Sequence, residues 1–368
     1  LKILQPAIDA AQETAIGLAA SGGETLLWKL RHLSRGWHRV VDDGARLTLR
    51  EGSLSQVGRT ARSLLLLHGT FSYSVSAFRG LAANGFLAEA REIYGDRIFA
   101  FDHFTVSDTP EENARDLLQA LPADGRAFDV ITHSRGGLVL RHLIERGELF
   151  GSLADRFRLG HAVLVASPNE GTPLATPDRY KETFGFFANL LELLPDNPWT
   201  TLPELISNGI VWLASNAVPA LKGLAAMDSH GSVIKALQAG SPSSHPAYSA
   251  LCANYQADSG VLDRLVDAGL DRFFSGANDL VVPTEGSWLI DGGTQVVPPE
   301  RVGCFGPGGN LPTPGSGVTH VDFFKRNETK AFLLRALRGE SHGLPLMDLA
   351  TDVPGRMTRS RRLGTRVA

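Results

Sequence analysis

The chain has 368 residues, of which 43% are hydrophobic and 20% are charged, and its formal net charge is -3 at pH 7. This length and apolar content are enough to bury a large core, and the balanced charge excludes the overall basic character of a nucleic-acid-binding protein. The two cysteines are too few for a disulfide framework, and the absence of CxxC and HxxxH spacings argues against a metal site. We expect Cys252 and Cys304 to be unpaired thiols in the core or in a loop, with a single disulfide in an oxidising compartment as the alternative.

No apolar run in the sequence reaches the roughly 18 residues that a membrane-spanning helix requires. The N-terminal stretch from residue 3 to residue 20 is interrupted by Asp9, Gln12 and Glu13. The sequence therefore predicts no transmembrane segment. It leaves the localisation open and favours a soluble, cytoplasmic protein.

Residues 1–60 are predicted to form an N-terminal extension of helices followed by a β-hairpin. Apolar positions through residues 1–35 recur at near-helical spacing, with a break at the Gly22-Gly23 pair. The hairpin follows, with strands at residues 37–41 and 46–50 on either side of an Asp-Asp-Gly turn.

A catalytic domain is predicted from residue 61 to residue 340, because strands and helices alternate from here. Residues 63–70 are a short apolar run that ends in a glycine turn, which is typical of a strand buried on both faces of a parallel sheet. Further predicted elements are strands at 97–101, 128–132 and 161–166 and helices at 110–121 and 136–146. Thr109 is the expected N-cap of the first of these helices. This order predicts an α/β fold with a mostly parallel central sheet and helices on both faces.

Residues 178–245 interrupt the alternation with a long apolar stretch rich in phenylalanine, leucine and tryptophan. The stretch is too long for an ordinary loop, so we predict a helical insertion that is either a mobile lid or a fixed cap. The sheet is expected to resume with a strand at 271–275, and residues 303–317 are expected to form a glycine- and proline-rich loop. A final helix at 328–338 precedes a basic tail, residues 341–368, to which we assign no function.

An apolar strand leads directly into a sharp turn and a helix in the segment 129–137, DVITHSRGG. This is the context of a nucleophile elbow, in which a serine hydroxyl is exposed at a strained strand-to-helix turn. Ser134 is therefore the predicted nucleophile; the alternative interpretation is a serine that caps the helix. Small residues are expected two positions away on each side. Gly136 obeys this rule, whereas Thr132 replaces the usual glycine.

A catalytic serine needs a histidine that accepts its proton and a carboxylate that orients the histidine. In this fold the order along the chain is serine, acid, histidine. His320 is the predicted base, because it lies in a loop between glycines and the last helix, whereas the other histidines after the serine open a strand or lie in the insertion or the tail. Asp279, in the sequence NDLVVP, is the predicted acid, with a simple turn residue as its other interpretation. Asp322 is the fallback acid.

The oxyanion of an acyl-transfer intermediate needs two backbone N–H donors. One is expected from Arg135, the residue after the nucleophile. The other is expected from the turn after the first core strand, with Thr70 preferred and Phe71 as the alternative. His68 lies in the same turn but before the glycine, so we expect it to be structural.

With these segments in chain order, residues 64–324 resemble the lipase branch of the α/β-hydrolases, near the bacterial triacylglycerol lipases, lecithin-cholesterol acyltransferase and the PGAP1-like deacylases. The resemblance rests on LLLHGT for the first strand and oxyanion turn, THSRGG for the elbow, VASPNEGTPLA for the segment that opens into the lid, NDLVVP for the acid loop and VTHVDFF for the histidine loop. It implies the α/β-hydrolase fold. Residues 1–60 match nothing in this core.

The sequence as a whole predicts a serine hydrolase that cleaves carboxylic esters of lipids or other apolar acyl compounds through an acyl-enzyme, with no metal or organic cofactor. Two alternatives stay open, namely an acyltransferase with the same triad and a binding or regulatory module that keeps the fold without turnover. The expected partner is a small-molecule or lipid ester and not a nucleic acid. The lid is a candidate for contact with a membrane or lipid surface, and the N-terminal extension is a candidate for binding a protein.

Overall fold

A computed structural model describes residues 24–25, 28–29, 31–44, 46–51, 54, 61–180, 182–183, 185–186, 221–239, 248–256, 273–290, 297–314, 317–340 and 342–347. The strands are β1 (Gly36–Asp42), β2 (Leu47–Glu51), β3 (Ser63–Leu67), β4 (Ile98–Asp102), β5 (Arg126–His133), β6 (Phe157–Val165), β7 (Tyr248–Ala253) and β8 (Val302–Phe305). The α-helices of the described residues are α1 (Ser74–Ala83), α2 (Phe86–Tyr94), α3 (Pro110–Gln119), α4 (Gly136–Glu145), α5 (Lys222–Ala225), α6 (Ser232–Gln238) and α7 (Asn327–Arg338). Short 3-10 helices lie at Gly147–Leu149, Gly151–Arg156, Pro173–Ala175, Pro177–Arg179, Glu285–Ser287, Pro299–Arg301 and Phe323–Lys325.

The eight strands form one sheet in the order β2-β1-β4-β3-β5-β6-β7-β8. From β4 to β8 every neighbouring pair in this order is parallel, and β1 runs antiparallel to both β2 and β4. The carboxyl ends of the parallel strands therefore meet at one edge of the sheet, which is where α/β proteins place their sites.

Strand β3 explains why helices cover both faces of this sheet. All of its residues are buried, and alternate side chains enter two different cores. Leu65 and Leu67 pack in the core that contains the apolar faces of α3 and α4. Leu64 and Leu66 pack in the core that contains those of α1, α2 and α7. The architecture is the α/β-hydrolase fold, as predicted.

Helix α3 begins as its sequence predicts, with Thr109 as the N-cap. The Glu112 N–H donates to Thr109 Oγ1 at 3.2 Å, and the Glu112 carboxylate accepts the Thr109 N–H at 2.7 Å. This reciprocal capping satisfies two N–H groups that a helix start leaves without partners, and a cap of this kind stabilises a helix by about 1 kcal/mol. It also defines where the loop after β4 ends, next to the elbow.

The predicted N-terminal hairpin is confirmed, and the structure makes it part of the central sheet. Strands β1 and β2 pair around the expected turn, with Asp42 opposite Leu47. Strand β1 then pairs with β4, with Trp37 opposite Phe101. Of the residues 1–35 that the sequence predicts to be helical, residues 1–23 lie outside the described residues and Glu24, 25, 28 and 29 are helical. The prediction is wrong for residues 31–35, which form a turn and an irregular segment that leads into β1.

Two predictions near the end of the sheet are wrong. In place of the strand predicted at 271–275, the described residues 273–275 have helical, irregular and bend conformations. Phe273 is buried because its ring packs 5.6 Å from that of Phe186, outside the sheet. The strand before the acid loop is instead β7, in which two of the six residues are alanine, a weak strand former.

The second wrong prediction is the loop at 303–317, because its first residues form β8. The sequence predicts a loop here because it contains Gly303, and glycine in a strand interior weakens the strand. A Cβ atom at this position would lie 2.7 Å from the Phe332 ring of α7. Glycine therefore allows the last helix to pack closely on the last strand, a contact that local sequence does not reveal.

Most of the predicted insertion at 178–245 lies outside the described residues, and its described part includes α5 and α6. Cys252 and Cys304 are buried, unpaired thiols, as expected, at opposing positions of β7 and β8. Within the described ranges no helix combines the length and apolar character needed to cross a membrane.

Candidate active site

Ser134 lies in the sharp turn between β5 and α4. Its φ angle is +54°, a left-handed conformation that is strained for a residue with a side chain. The Ser134 N–H donates to the Val165 carbonyl at 2.9 Å, and the Gly137 N–H donates to the Ser134 carbonyl at 2.9 Å. A Cβ atom at Gly136 would lie 2.2 Å from the Leu67 carbonyl oxygen, so only glycine fits there. The local geometry is that of a nucleophile elbow.

The structure explains how the elbow accommodates Thr132 where glycine is usual. Thr132 Oγ1 lies 3.3 Å from Ser167 Oγ and 3.4 Å from the Val163 carbonyl oxygen, so the buried hydroxyl has partners. The space comes from Gly137, where a Cβ atom would lie 2.1 Å from Ser167 Oγ. The second glycine after the serine thus makes room for Ser167, which contacts the threonine.

Asp279 and His320 form a buried hydrogen-bonded pair. His320 Nδ1 lies 2.8 Å from Asp279 Oδ2, and both side chains are almost fully buried. The other carboxylate oxygen, Oδ1, accepts the N–H groups of Val281 at 3.0 Å and Val282 at 2.8 Å. The His320 N–H donates to the Asp279 carbonyl at 2.9 Å. Each part of the carboxylate therefore has a fixed partner, and the imidazole has a fixed orientation.

His133, directly before Ser134, contacts both the backbone and the ring of His320. Its Nε2 lies 2.9 Å from the His320 carbonyl oxygen, and the two rings are 4.9 Å apart. Burial, reinforced by the nearby His320, lowers the pKa of His133 to about 3. A neutral ring has one N–H. Because the His320 carbonyl can only accept a hydrogen bond, this N–H is at Nε2, which donates the hydrogen bond to it. Among the described residues, Nδ1 has no hydrogen-bond partner.

The low pKa of His133 predicts that acid destabilises the fold. The folded protein takes up this proton only near pH 3, whereas the unfolded chain takes it up near pH 6.5, so stability falls as pH drops below 6.5. The loss between pH 8 and pH 5 is about 2 kcal/mol for this residue alone. Urea unfolding at a series of pH values gives the free energy of unfolding as a function of pH. Below pH 6.5 this free energy should depend on pH less steeply in His133→Gln than in the wild type, by the equivalent of about one proton.

The exposed His230 provides the control for that measurement, because its ring is 86% exposed. His230→Gln should keep the wild-type slope. Equal slopes for wild type and His133→Gln would contradict a neutral, buried His133.

The turn after β3 brings its backbone against the elbow. A Cβ atom at Gly69 would lie 2.6 Å from Ser134 Cβ, so glycine is required for this approach. Phe71 has a φ angle of +57°, and its N–H donates to Thr105 Oγ1 at 3.2 Å. The Phe71 N–H, the alternative oxyanion donor, is therefore already engaged in a hydrogen bond. Thr70 and Phe71 both line the cavity described below.

His68 has the structural surroundings that its position predicts. It is fully buried, its Nδ1 lies 3.1 Å from the Gly69 carbonyl oxygen, and its Nε2 accepts the His103 N–H at 3.2 Å. Burial lowers the pKa of His68. The neutral ring therefore ties the turn after β3 to the end of β4.

Arg135, the other expected oxyanion donor, has a fully buried side chain. Its guanidinium donates to the Gly223 carbonyl at 3.2 Å and to the Asp108 carbonyl. Burial lowers the pKa of Arg135 to about 10, and this effect is opposed by the nearby carboxylates, of which Glu24 is the strongest. Arg135 therefore joins the loop after β4 to the start of α5.

One cavity is lined by four of the predicted site residues, whereas Asp279 and Arg135 do not line it. Ser134 and His320 both line it, as do Thr70 and Phe71. The other lining residues come from the segment after β6, from α5 and its following turn, and from the acid loop. All of them except Thr172 are apolar, namely Pro168, Leu174, Ala175, Leu224, Met227, Val281 and Val282. An apolar chain placed next to the serine would be surrounded by apolar groups.

Not every candidate side chain reaches this cavity. The fallback acid Asp322 accepts the Thr319 hydroxyl at 2.6 Å and pairs with Lys325 at 2.9 Å, without a bond to His320. His133 is a site residue that the sequence did not predict, although its position directly before the serine was a usable signal. Within the described ranges, no cluster of three or more His, Cys, Asp or Glu side chains is arranged to hold a metal ion.

The sheet and the elbow are those of the α/β-hydrolase fold. The chain belongs to the family described as "Domain of unknown function (DUF7379)", which matches residues 29–338. No curated protein matches the sequence.

Several solved structures are similar to this chain. Phospholipase PlaB from Legionella pneumophila is 16% identical over 76% of this chain and 61% of its own, with a TM-score of 0.47. The chain thus spans less than two thirds of that protein. Lipase 1 from Pelosinus fermentans is 13% identical over 71% of this chain and 89% of its own, with a TM-score of 0.41. The metagenomic carboxyl esterase MGS0156 is 18% identical over 68% of this chain and 69% of its own, with a TM-score of 0.33.

Proposed function

We propose that this protein is a serine hydrolase that cleaves carboxylic esters with an apolar acyl group, with Ser134, His320 and Asp279 as its catalytic triad. The proposal is supported above all by the hydrogen bond between His320 Nδ1 and Asp279 Oδ2, which is 2.8 Å long. The same histidine lines the cavity that contains Ser134. An imidazole held through Nδ1–H presents Nε2 as a proton acceptor, which a serine nucleophile requires.

Acylation begins when Ser134 Oγ attacks the ester carbonyl carbon and His320 Nε2 takes the hydroxyl proton. The negative charge of Asp279 stabilises the imidazolium that forms. The carbonyl oxygen becomes an oxyanion, which accepts hydrogen bonds from the N–H groups of Thr70 and Arg135. Collapse of the tetrahedral intermediate breaks the bond to the alcohol oxygen, and His320 returns its proton to that oxygen. The alcohol leaves, and the acyl group stays on the serine.

Deacylation repeats these steps with water as the nucleophile. His320 takes a proton from the water as its oxygen attacks the acyl carbon, and the same two N–H groups bind the second oxyanion. The bond to Ser134 Oγ then breaks, and the histidine protonates the serine oxygen. The products are a carboxylic acid and the free enzyme.

The apolar wall of the cavity supports an apolar acyl group as the substrate. Met227 and Leu224 come from the described part of the predicted insertion, and Val281 and Val282 come from the acid loop. An acyl chain buried among these side chains gains about 0.8 kcal/mol for each methylene. We therefore extend the proposal to lipid-like esters of the kind cleaved by the lipase branch, with residues 178–245 as the lid or cap.

A series of p-nitrophenyl esters tests this function. We expect wild-type kcat/KM to rise by about fourfold for each added methylene until the cavity is filled. Hydrolysis that is independent of chain length would contradict the apolar acyl group. If no ester is hydrolysed and a fluorophosphonate probe leaves Ser134 unmodified, the hydrolase assignment itself is wrong. Analysis of the products with added alcohols or thiols as competing acceptors then separates hydrolysis from acyl transfer.

A further inference from the structure

Glu24, from the N-terminal segment, places a buried carboxylate in the loop after β4. The residue is only 3% exposed. Its two oxygens accept three consecutive backbone N–H groups, those of Thr105 at 2.8 Å, Val106 at 3.2 Å and Ser107 at 2.9 Å, and the Ser107 hydroxyl at 2.8 Å. Hydrogen bonds to an ionised group of this kind offset the cost of removing a carboxylate from water. The carboxylate therefore fixes the backbone of residues 105–107.

Thr105 connects this carboxylate to the oxyanion turn. Its hydroxyl lies 3.4 Å from Glu24 Oε1, to which it donates, and the Phe71 N–H donates to the same hydroxyl oxygen at 3.2 Å. A hydroxyl has one proton and two lone pairs. When its proton points to Glu24, a lone pair is left for Phe71. This bond holds Phe71 in its left-handed conformation and leaves the preceding Thr70 N–H as the donor for an oxyanion.

The same loop contacts the residue on the other side of the oxyanion. The Asp108 carbonyl accepts a hydrogen bond from the Arg135 guanidinium. Of the nearby negative charges that favour the charged form of Arg135, that of Glu24 is the strongest. Among the described residues, Arg135 Nη1 is buried without a hydrogen-bond partner, so the guanidinium depends on nearby negative charge. The Gly223 N–H donates to the Val106 carbonyl at 2.9 Å, which attaches α5 to the loop.

We propose that Glu24 is a positioning residue for catalysis, which acts through Thr105 and the loop after β4 to hold both N–H donors of the oxyanion hole. The proposal rests on the ester hydrolysis proposed above. The N-terminal segment then supplies part of the active-site framework. A mispositioned donor weakens binding of the transition state more than binding of the neutral ester, so the effect belongs in kcat and not in KM.

Substitution of Glu24 with glutamine or alanine tests this role. We expect kcat for p-nitrophenyl butyrate to fall by about 10- to 100-fold in both variants, with KM within about threefold of wild type. Activities are compared per folded molecule, with the folded fraction taken from urea unfolding. Sodium acetate should raise the kcat of Glu24→Ala at least fivefold, because acetate supplies the missing carboxylate. Sodium chloride at equal ionic strength should leave this kcat unchanged.

Thr105 provides a test that leaves the Glu24 carboxylate in place, which decides the matter if the Glu24 variants do not fold. Thr105→Val removes the hydroxyl and should reproduce the loss of kcat at constant KM. The conservative Thr105→Ser should recover most of the wild-type kcat. The solvent-exposed Glu148→Gln is the neutral control, since Glu148 pairs only with Arg146 at the surface among the described residues.

The outcomes separate this inference from the proposed function. Wild-type kcat in folded Glu24→Gln and Thr105→Val would overturn the role of Glu24 while the hydrolase assignment stands. Equal changes in kcat and KM, or a loss fully explained by the unfolded fraction, would overturn it as well. A wild-type protein that neither hydrolyses esters nor reacts with a fluorophosphonate would instead remove the proposed function, and the inference with it.

Discussion

Replacing Ser134 with alanine should lower kcat for ester hydrolysis by on the order of 10^5-fold, with little change in the free energy of unfolding. Alanine removes the atom that attacks the carbonyl carbon, and neither His320 nor the oxyanion donors supply a substitute. The Ser134 backbone bond to Val165 does not depend on the hydroxyl, so the elbow should keep its shape. Steady-state hydrolysis of p-nitrophenyl esters and urea unfolding measure the two quantities.

Ser229 offers a matched control in the described part of the predicted insertion. Its hydroxyl lies 3.3 Å from His230 Nδ1, in an exposed contact, and Ser229 does not line the cavity that contains Ser134. Ser229→Ala should keep wild-type turnover and reactivity towards a fluorophosphonate. Residual turnover above about 1% in Ser134→Ala would assign the nucleophile to another group.

Replacing Asp279 with asparagine should lower kcat by about 10^4-fold while preserving the fold. The amide oxygen of asparagine can still accept the N–H groups of Val281 and Val282, as Asp279 Oδ1 does. The amide NH2 group then faces His320 Nδ1 in place of the carboxylate oxygen at 2.8 Å. Because NH2 is a donor, Nδ1 must accept, and the ring proton moves to Nε2. The histidine can then no longer take the serine proton.

Asp322 provides the control for this tautomer argument, because it is the other carboxylate near His320 in sequence. It bonds to Thr319 and Lys325, and Asp322→Asn should retain at least half of the wild-type kcat. A large loss in Asp322→Asn with a small one in Asp279→Asn would exchange the roles of the two acids.

Several features of the fold could be read from the sequence because their signals are local. The leucine run of β3 is buried along its whole length, and a run of this kind indicates a strand covered on both faces. The capping pattern at Thr109 identifies the start of α3 within a few residues. The strand, glycine and helix around Ser134 combine three such signals, and the positive φ of the serine is the conformation they demand.

Other features could not be read because they arise from packing between distant parts of the chain. Strand β8 contains Gly303, and glycine disfavours a strand by local propensity. The close contact with Phe332 nevertheless requires glycine at this position. Phe273 carries a strand-like aromatic signal and is buried by Phe186 instead. In both places tertiary contact overrides local preference, and this is where the predicted elements fail.

The sequence by itself determined the parallel sheet and the candidate residues at the ends of its strands, since burial patterns and turn residues act over a few neighbouring positions. Only the tertiary structure decided what surrounds those residues. Glu24 meets Thr105 across 81 positions, and His133 meets the His320 carbonyl across 187 positions. Buried polar groups need partners wherever the fold supplies them. Such partners leave no trace in local sequence, because the sheet brings them together.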